Sequence, residues 1–450
     1  MPGILERMGN GISAMLSGRR GAAWYSGFAV YAAGVAMFSG PGLDHWWGAW
    51  AAGGYAIAAI VAAAAPGKAW GGRLAMAACL AAAVAAPAIW LMTQEPTTPD
   101  VAVVARSGML LLHHGTPYLP LAALSAGGWL AYNPYLPVMA LFGLPRALGV
   151  PGDTRPWLIA GTFLLLYATF RVTLAPRGQR RAGGPGPLGH AAFWLASPIM
   201  AVPLAMGITD PPVIALTCLA LALLARSGRA LERRARGRDM LAAAVALGVA
   251  CAMKYTAWPA LAIIAVMVAT RDGVQSAVRF TASVLATAIT LVVALAPAAL
   301  LHPASILQNT LAYPLGLTAA KSPAQSPLPG HLLATLGPAG HLAALALLAA
   351  AALATVASLV IAPPATPAAA ARRIAIGLAA LFLLCPATRY GYFIYPIALY
   401  AWAALASRAD AGSGSRPVRG HELARAAEAD EPLPSGGAGR DDRQRDLELI

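Results

Sequence analysis

The residues best suited to chemistry gather around one stretch, TTPDVAVVARSGMLLLHHGTPYLP, from Thr97 to Pro120. It follows a long apolar segment, and Asp100 stands at its front. A carboxylate near the end of a membrane-crossing helix is costly, by about 2.5–3.5 kcal/mol at the helix centre and less at the interface, which marks it as a candidate functional group. Arg106, His113, His114 and Tyr118 lie in the same stretch. Further along, Asp210 in GITDPP, Lys254 in MKYTAWP, Lys321 in TAAKSPAQSP and Arg389 in ATRYGYFIYP are polar outliers beside apolar runs. A carboxylate amid several cations suits a phosphorylated lipid reacting with a hydroxyl. The cations would hold the phosphate leaving group and stabilise its developing charge, and the carboxylate would take the hydroxyl proton. The alternative is a set of scattered loop charges that never converge.

The elements that must position these residues are apolar helices. Of 450 residues, 58% are hydrophobic and 11% charged, less than half the roughly 25% charge of soluble domains. Charge-free runs near 20 residues recur, each able to cross a hydrocarbon core of about 30 Å as a helix. The expected fold is all-α, a polytopic transmembrane bundle of about 11–13 membrane segments with an outer-face loop and interfacial helices. Residues 1–20 read as a basic cytoplasmic lead, 21–407 as the transmembrane domain, and 408–450 as a disordered cytoplasmic tail with almost no aromatic content. The first apolar run, after Arg19 and Arg20, reads as a retained span rather than a cleaved leader.

The net charge of +14 resides in short basic segments between apolar runs. That is the topology signal of a membrane protein, and it excludes a nucleic-acid partner, which would need a basic stripe on a soluble fold. Cys79, Cys218, Cys251 and Cys385 all lie in apolar segments and read as small buried hydrophobes, with no disulfide framework and no metal-ligand spacing. Spans expected near 21–40, 46–65 and 74–92, with Lys68 and Arg73 inside, put Asp100 outside. Asp44, in the first outer turn, reads as a solvated loop residue.

After Asp100, VAVVARSGMLLL predicts a helix lying in the interface, broken at Gly115 and Pro117. Pro134, Pro137 and Pro145 interrupt the next segment, and parity requires that it or the run 157–170 be re-entrant or kinked. Spans are expected near 191–206, 213–225, 280–301, 342–361, 374–387 and 394–405. From 241 to 270, two short helices meeting at MKYTAWP would place Lys254 at their junction, where a cation needs an anion or a water-filled cavity. Residues 302–341, rich in proline and serine, read as an outer lid or binding loop holding His302, Lys321 and His331.

The stretch TTPDVAVVARSGMLLLHHGTPY resembles the first outer loop of GT-C glycosyltransferases, where an Asp precedes a small interfacial helix and a Gly-x-Pro-Tyr element. NPYLPVMALFGLPRA is similar to the Tyr-x-Tyr-Pro-Pro segment that follows, with Leu136-Pro137 in place of one Pro-Pro. LALLARSGR and AAAVALGVACAMKYTAWPAL resemble the basic loop and Lys-centred element of glycosyltransferase family 87, and YPLGL, SPAQSPLPGHLL and PATRYGYFIYP resemble later elements of an actinobacterial branch. The resemblance spans about 70–405. It implies a plasma-membrane, inverting transferase without a cofactor, moving a sugar, commonly mannose, from a polyprenyl-phosphate donor to a glycolipid or glycan acceptor on the extracytoplasmic side. It implies Asp100 as general base and Lys254 and Arg389 as contacts to donor phosphate. Arg106, His113, His114, Tyr118, Asp210 and Lys321 are the further substrate-binding candidates. A transporter or flippase of lipid-linked sugars, an arabinosyl-type transferase of the same fold, and a non-catalytic scaffold are the competing readings. Matching halves with paired broken helices, usual in transporters, are not evident in the sequence.

Overall fold

Long runs of alanine, leucine and valine placed in hydrocarbon can satisfy their backbone amides and carbonyls internally only as helices. Helices are what the computed structural model contains. The structure describes residues 18–40, 42–94, 98–174 and 186–414. Most of the expected lead and tail therefore lie outside the described residues. Within the latter, the last helix runs on to Gly414, past Ser407, where the main compact unit ends. Among the described residues the only β pairing is one isolated bridge between Gln325 and Thr388. Seven helices are long and apolar enough to cross a membrane, or eight if one bent pair is a single span. The protein is thus an all-α, multi-pass membrane bundle. The expected 11–13 segments also include shorter or more charged helices such as Arg233–Cys251 and Trp258–Asp272.

Helices α1 (Gly18–Phe38), α2 (Leu43–Ala64) and α3 (Ala69–Leu91) form a first layer around Tyr25, Trp47 and Tyr55. Asp44, expected as a solvated loop residue, sits instead in the first turn of α2. A π turn at Ala81–Ala85 interrupts α3, and Trp47 Nε1 donates to the Ala83 carbonyl within that turn (2.8 Å). Helix α4 (Pro99–His114) follows, then a proline-broken segment, then α5 (Arg155–Thr173). The span expected near 191–206 is instead two helices, α6 (Pro187–Ala196) and α7 (Pro198–Met206), bent by 64°. Pro198 has no N–H to continue the ladder, and Tyr55 Oη donates to the Ala196 carbonyl at the break (2.5 Å).

Helix α8 (Asp210–Ser227) is the axis of the main core: 83% of its residues are buried, and α5, α9 (Arg233–Cys251) and α13 (Pro367–Leu384) pack against it. The expected pair of short helices meeting at MKYTAWP is present. Helix α9 ends at Cys251, a 3₁₀ turn spans Tyr255–Ala257, and α10 (Trp258–Asp272) resumes with Pro259 in its first turn. Helices α11 (Val274–Leu295), α12 (Pro338–Ile361), α13 and α14 (Ile394–Gly414) complete the bundle.

Three irregular segments converge where α4 and α8 begin. Residues 132–136, interrupted by Pro134, are held in place by hydrogen bonds from Leu136 N to Met253 O (3.0 Å) and, just beyond, Val138 N to Ala252 O (3.2 Å). The 3₁₀ turn Pro137–Gly143 then lies against α4 so closely that a Cβ on Gly108 would strike the Gly143 backbone, and one on Gly143 would strike the Val104 carbonyl. The loop expected at 302–341 carries a π turn, Gln308–Ala312, and lays residues 324–326 along 388–390. Thr388 N donates to Ala324 O (2.9 Å), Ser326 N to Thr388 O (3.0 Å) and Tyr390 N to Ser326 Oγ (3.1 Å).

Candidate active site

A cleft of about 1040 Å³, counting its solvent-open part, lies among these segments. Asp100, Lys254 and Arg389 line it together with Trp129, Tyr132, Tyr135, Tyr255, Tyr313 and Tyr392. Each charged residue comes from a place where regular structure starts or stops. Asp100 is in the first turn of α4, where the helix dipole favours an anion. Lys254 occupies the extended gap between α9 and α10. Arg389 stands just before the 3₁₀ turn Tyr390–Phe393 and is anchored by the loop pairing at Thr388.

The charges are arranged as two acid–cation pairs. Asp100 Oδ1 accepts a hydrogen bond from the Tyr135 phenol, and its Oδ2 lies 3.5 Å from Arg389 Nη1. Asp210, 1% exposed, pairs with Lys254 and accepts from Tyr395 Oη (2.8 Å). The Lys254 ammonium also sits over two aromatic rings, 5.4 Å from Tyr135 and 5.6 Å from Tyr392. Tyr135 thus touches both pairs. Burial, reinforced by the Asp100 charge, holds its phenol well above the ordinary range, so it remains a proton donor. Burial acts to lower the Arg389 guanidinium, but Asp100 together with Tyr392, Tyr135 and Tyr313 more than offsets it, and the net shift is upward.

Of the residues singled out in the sequence, the structure brings Asp100, Lys254, Arg389 and Asp210 together, with Asp210 behind Lys254 rather than on the cleft wall. Arg106 is elsewhere: six residues past Asp100, it is about 240° around the helix. Its guanidinium grips the carbonyls of Leu130 (2.5 Å), Ala131 (3.1 Å) and Tyr132 (3.5 Å), fixing the turn that presents Trp129 and Tyr132 to the cleft. His113 and His114 are exposed at the far end of α4, roughly 20 Å along the axis from Asp100 at 1.5 Å per residue. Tyr118 is buried and donates to the Tyr135 carbonyl (2.9 Å), so it supports the site from behind. Lys321 is exposed beside Ser322, which does line the cleft.

The tyrosines on the cleft wall are not legible in the sequence, unlike Tyr118, because in a membrane protein an aromatic near a helix end reads as an interfacial anchor. Also missed was the polar hub beneath them. Asn133, 2% exposed, donates from Nδ2 to Ser107 Oγ (2.9 Å) and Pro117 O (3.1 Å), accepts from Tyr135 N (3.0 Å), and gives its own N–H to Asn309 Oδ1 (2.7 Å). A second buried pair, Asp153 with the fully buried Arg155, lies at the start of α5. Among the described residues no cluster of three His, Cys, Asp or Glu could hold a metal ion.

The model of glycosyltransferase family 87 matches residues 133–386, more than half of the chain. That stretch includes Tyr135, Asp210 and Lys254, while Asp100 and Arg389 flank it. Neither the curated proteins nor the solved structures searched contain a match.

Proposed function

The chain belongs to glycosyltransferase family 87, and on that premise we propose that it transfers a hexose, mannose in the first instance, from a polyprenyl-phosphate donor to a hydroxyl of a glycolipid or glycan acceptor. The transfer takes place at the extracytoplasmic face of the plasma membrane, with inversion. Asp100 is the general base. The acceptor oxygen attacks the anomeric carbon, its proton passes to Asp100, and the bond from that carbon to the phosphate oxygen breaks, the electron pair leaving with the phosphate. Arg389 and Lys254 stabilise the charge that accumulates there.

The observation that carries this reading is the pairing of Asp100 with Arg389 in a cleft that also contains Lys254. A carboxylate in such a cleft can take the proton of an attacking hydroxyl, and the cations beside it suit a leaving phosphate. Base catalysis is typically worth about 10²–10⁴-fold. Membranes containing Asp100→Asn should therefore lose about that much transfer from polyprenyl-phosphate-mannose, while binding the donor nearly as the wild type does. Near-normal transfer by well-expressed Asp100→Asn would remove the assignment.

A further inference from the structure

The two contacts to Asp100 differ in kind. Arg389 Nη1 stands 3.5 Å from Oδ2, well beyond the roughly 2.7–2.9 Å of a charge-assisted hydrogen bond, so this contact is loose and open to exchange. The Tyr135 contact to Oδ1 is a direct hydrogen bond from a side chain that is 5% exposed. Its backbone is fixed from three directions: Tyr135 N donates to Asn133 Oδ1, Tyr135 O accepts from Tyr118, and the next residue donates to Met253 O. A phosphate entering the cleft would compete with the carboxylate for Arg389, whereas the backbone contacts of Tyr135 would hold it where it is.

We propose that Tyr135 is the positioning residue for Asp100: its phenol keeps Oδ1 while the donor phosphate takes Arg389, so that Oδ2 is released toward the acceptor hydroxyl in a fixed orientation. This rests on the reading of Asp100 as base. In the transfer step the acceptor O–H breaks and its proton goes to Oδ2. Tyr135 keeps its own proton throughout and acts on the acceptor through Asp100.

The titratable groups around Asp100 are Tyr135, Arg389, Tyr392 and Tyr313, with Tyr132, Tyr255, Cys385 and Lys254 also on the cleft wall and Asp210 behind Lys254. Tyrosine, lysine and arginine ordinarily lose protons near pH 10 or above, so an acidic limb in the pH–rate profile falls to a carboxylate.

The test is Tyr135→Phe in the full-length protein in membranes, which keeps the ring beneath Lys254 and removes only the hydroxyl. Turnover should fall about tenfold or more, in keeping with loss of a hydrogen bond to a charged group, with donor KM changed less than about threefold. Losing a donor to the carboxylate disfavours its ionised form, so the acidic limb should move to higher pH. Asp100→Asn/Tyr135→Phe should be no slower than Asp100→Asn alone, since a residue acting through another adds nothing once that other is gone. Replacing Tyr135 with 3-fluorotyrosine keeps the geometry and sharpens the donor, and it should move the limb to lower pH even if the Phe variant accumulates poorly. An unshifted limb in that protein, wild-type turnover in Tyr135→Phe, or fully multiplicative losses in the double variant would overturn the proposal. If Asp100→Asn itself kept normal turnover, the failure would lie with the base assignment instead.

Discussion

Lys254 shows what a single residue reveals and conceals. A lysine in the middle of a 30-residue apolar run requires an anion or a cavity, and the structure supplies both, Asp210 and the cleft. From the sequence, Lys254→Ala should cost donor binding and leave the protein folded. The structure changes that expectation, because Asp210 is 1% exposed and its Oδ2 has no hydrogen-bond partner. Removing one partner of a buried pair leaves an uncompensated charge, at about 3–5 kcal/mol. Lys254→Ala should therefore lower the thermal midpoint of the detergent-solubilised protein as well as its activity. Lys254→Met/Asp210→Asn should recover most of the stability and little of the activity, and a thermal scan of the three proteins checks it. The charged residues were legible because each is an anomaly in its surroundings. Tyr135 and Asn133 were not, since their roles depend on partners such as Asp100 and Asn309, 35 and 176 residues away in sequence. Arg106 misled for a related reason: its partners are backbone carbonyls, which leave no mark in the side-chain pattern.

At the scale of elements, most helices were legible to within a few residues, because spans are set by hydrophobic length. The irregular pieces that build the cleft were legible only as interruptions. Proline announced that 132–137 would not be helical, but not that this segment would pair with residues 252–253. The bend between α6 and α7 was likewise hidden within one apolar run, despite Pro198. What fixes α4 beside the Pro137–Gly143 turn is the close approach of Gly108 and Gly143, where a Cβ on Gly108 would enter the Gly143 backbone and one on Gly143 would enter the Val104 carbonyl. Overpacking of such a contact costs roughly 1–3 kcal/mol and moves backbone. Gly108→Ala should thus lower both the thermal midpoint and the turnover, by shifting Asp100 relative to Tyr135. Gly237→Ala, where a Cβ would meet nothing within 4 Å, serves as the control. Equal behaviour of the two variants would show that the close approach is not what positions the helix.

At the scale of the whole molecule, three helices separate the cleft from the basic loops. Helix α8 starts at Asp210, beside Lys254, and has Arg226 in its last turn, about 24 Å away at 1.5 Å per residue. Helix α10 starts four residues after Lys254 and has Arg271 in its last turn. Helix α13 carries Arg372 and Arg373 near its start and leads at its far end to Arg389. At that basic end Arg226 is held by Asp239 in a two-pronged pair (2.7 Å each), and Arg271 bonds the Leu224 carbonyl (2.7 Å) and Asp272. Lysine and arginine in short loops stay on the cytoplasmic side, so the basic end should be cytoplasmic and the cleft should open on the opposite face, where a lipid-linked sugar would meet an envelope acceptor. A cysteine at Lys321, exposed beside the cleft, should react with a membrane-impermeant maleimide in intact cells; one at Arg234, exposed in the basic stretch, should react only after permeabilisation. Three native cysteines are buried and Cys385 is partly buried at the cleft, so labelling is measured against protein without the added cysteine. Protection of Lys321→Cys in intact cells together with ready labelling of Arg234→Cys would invert the topology and place the transfer reaction on the cytoplasmic side.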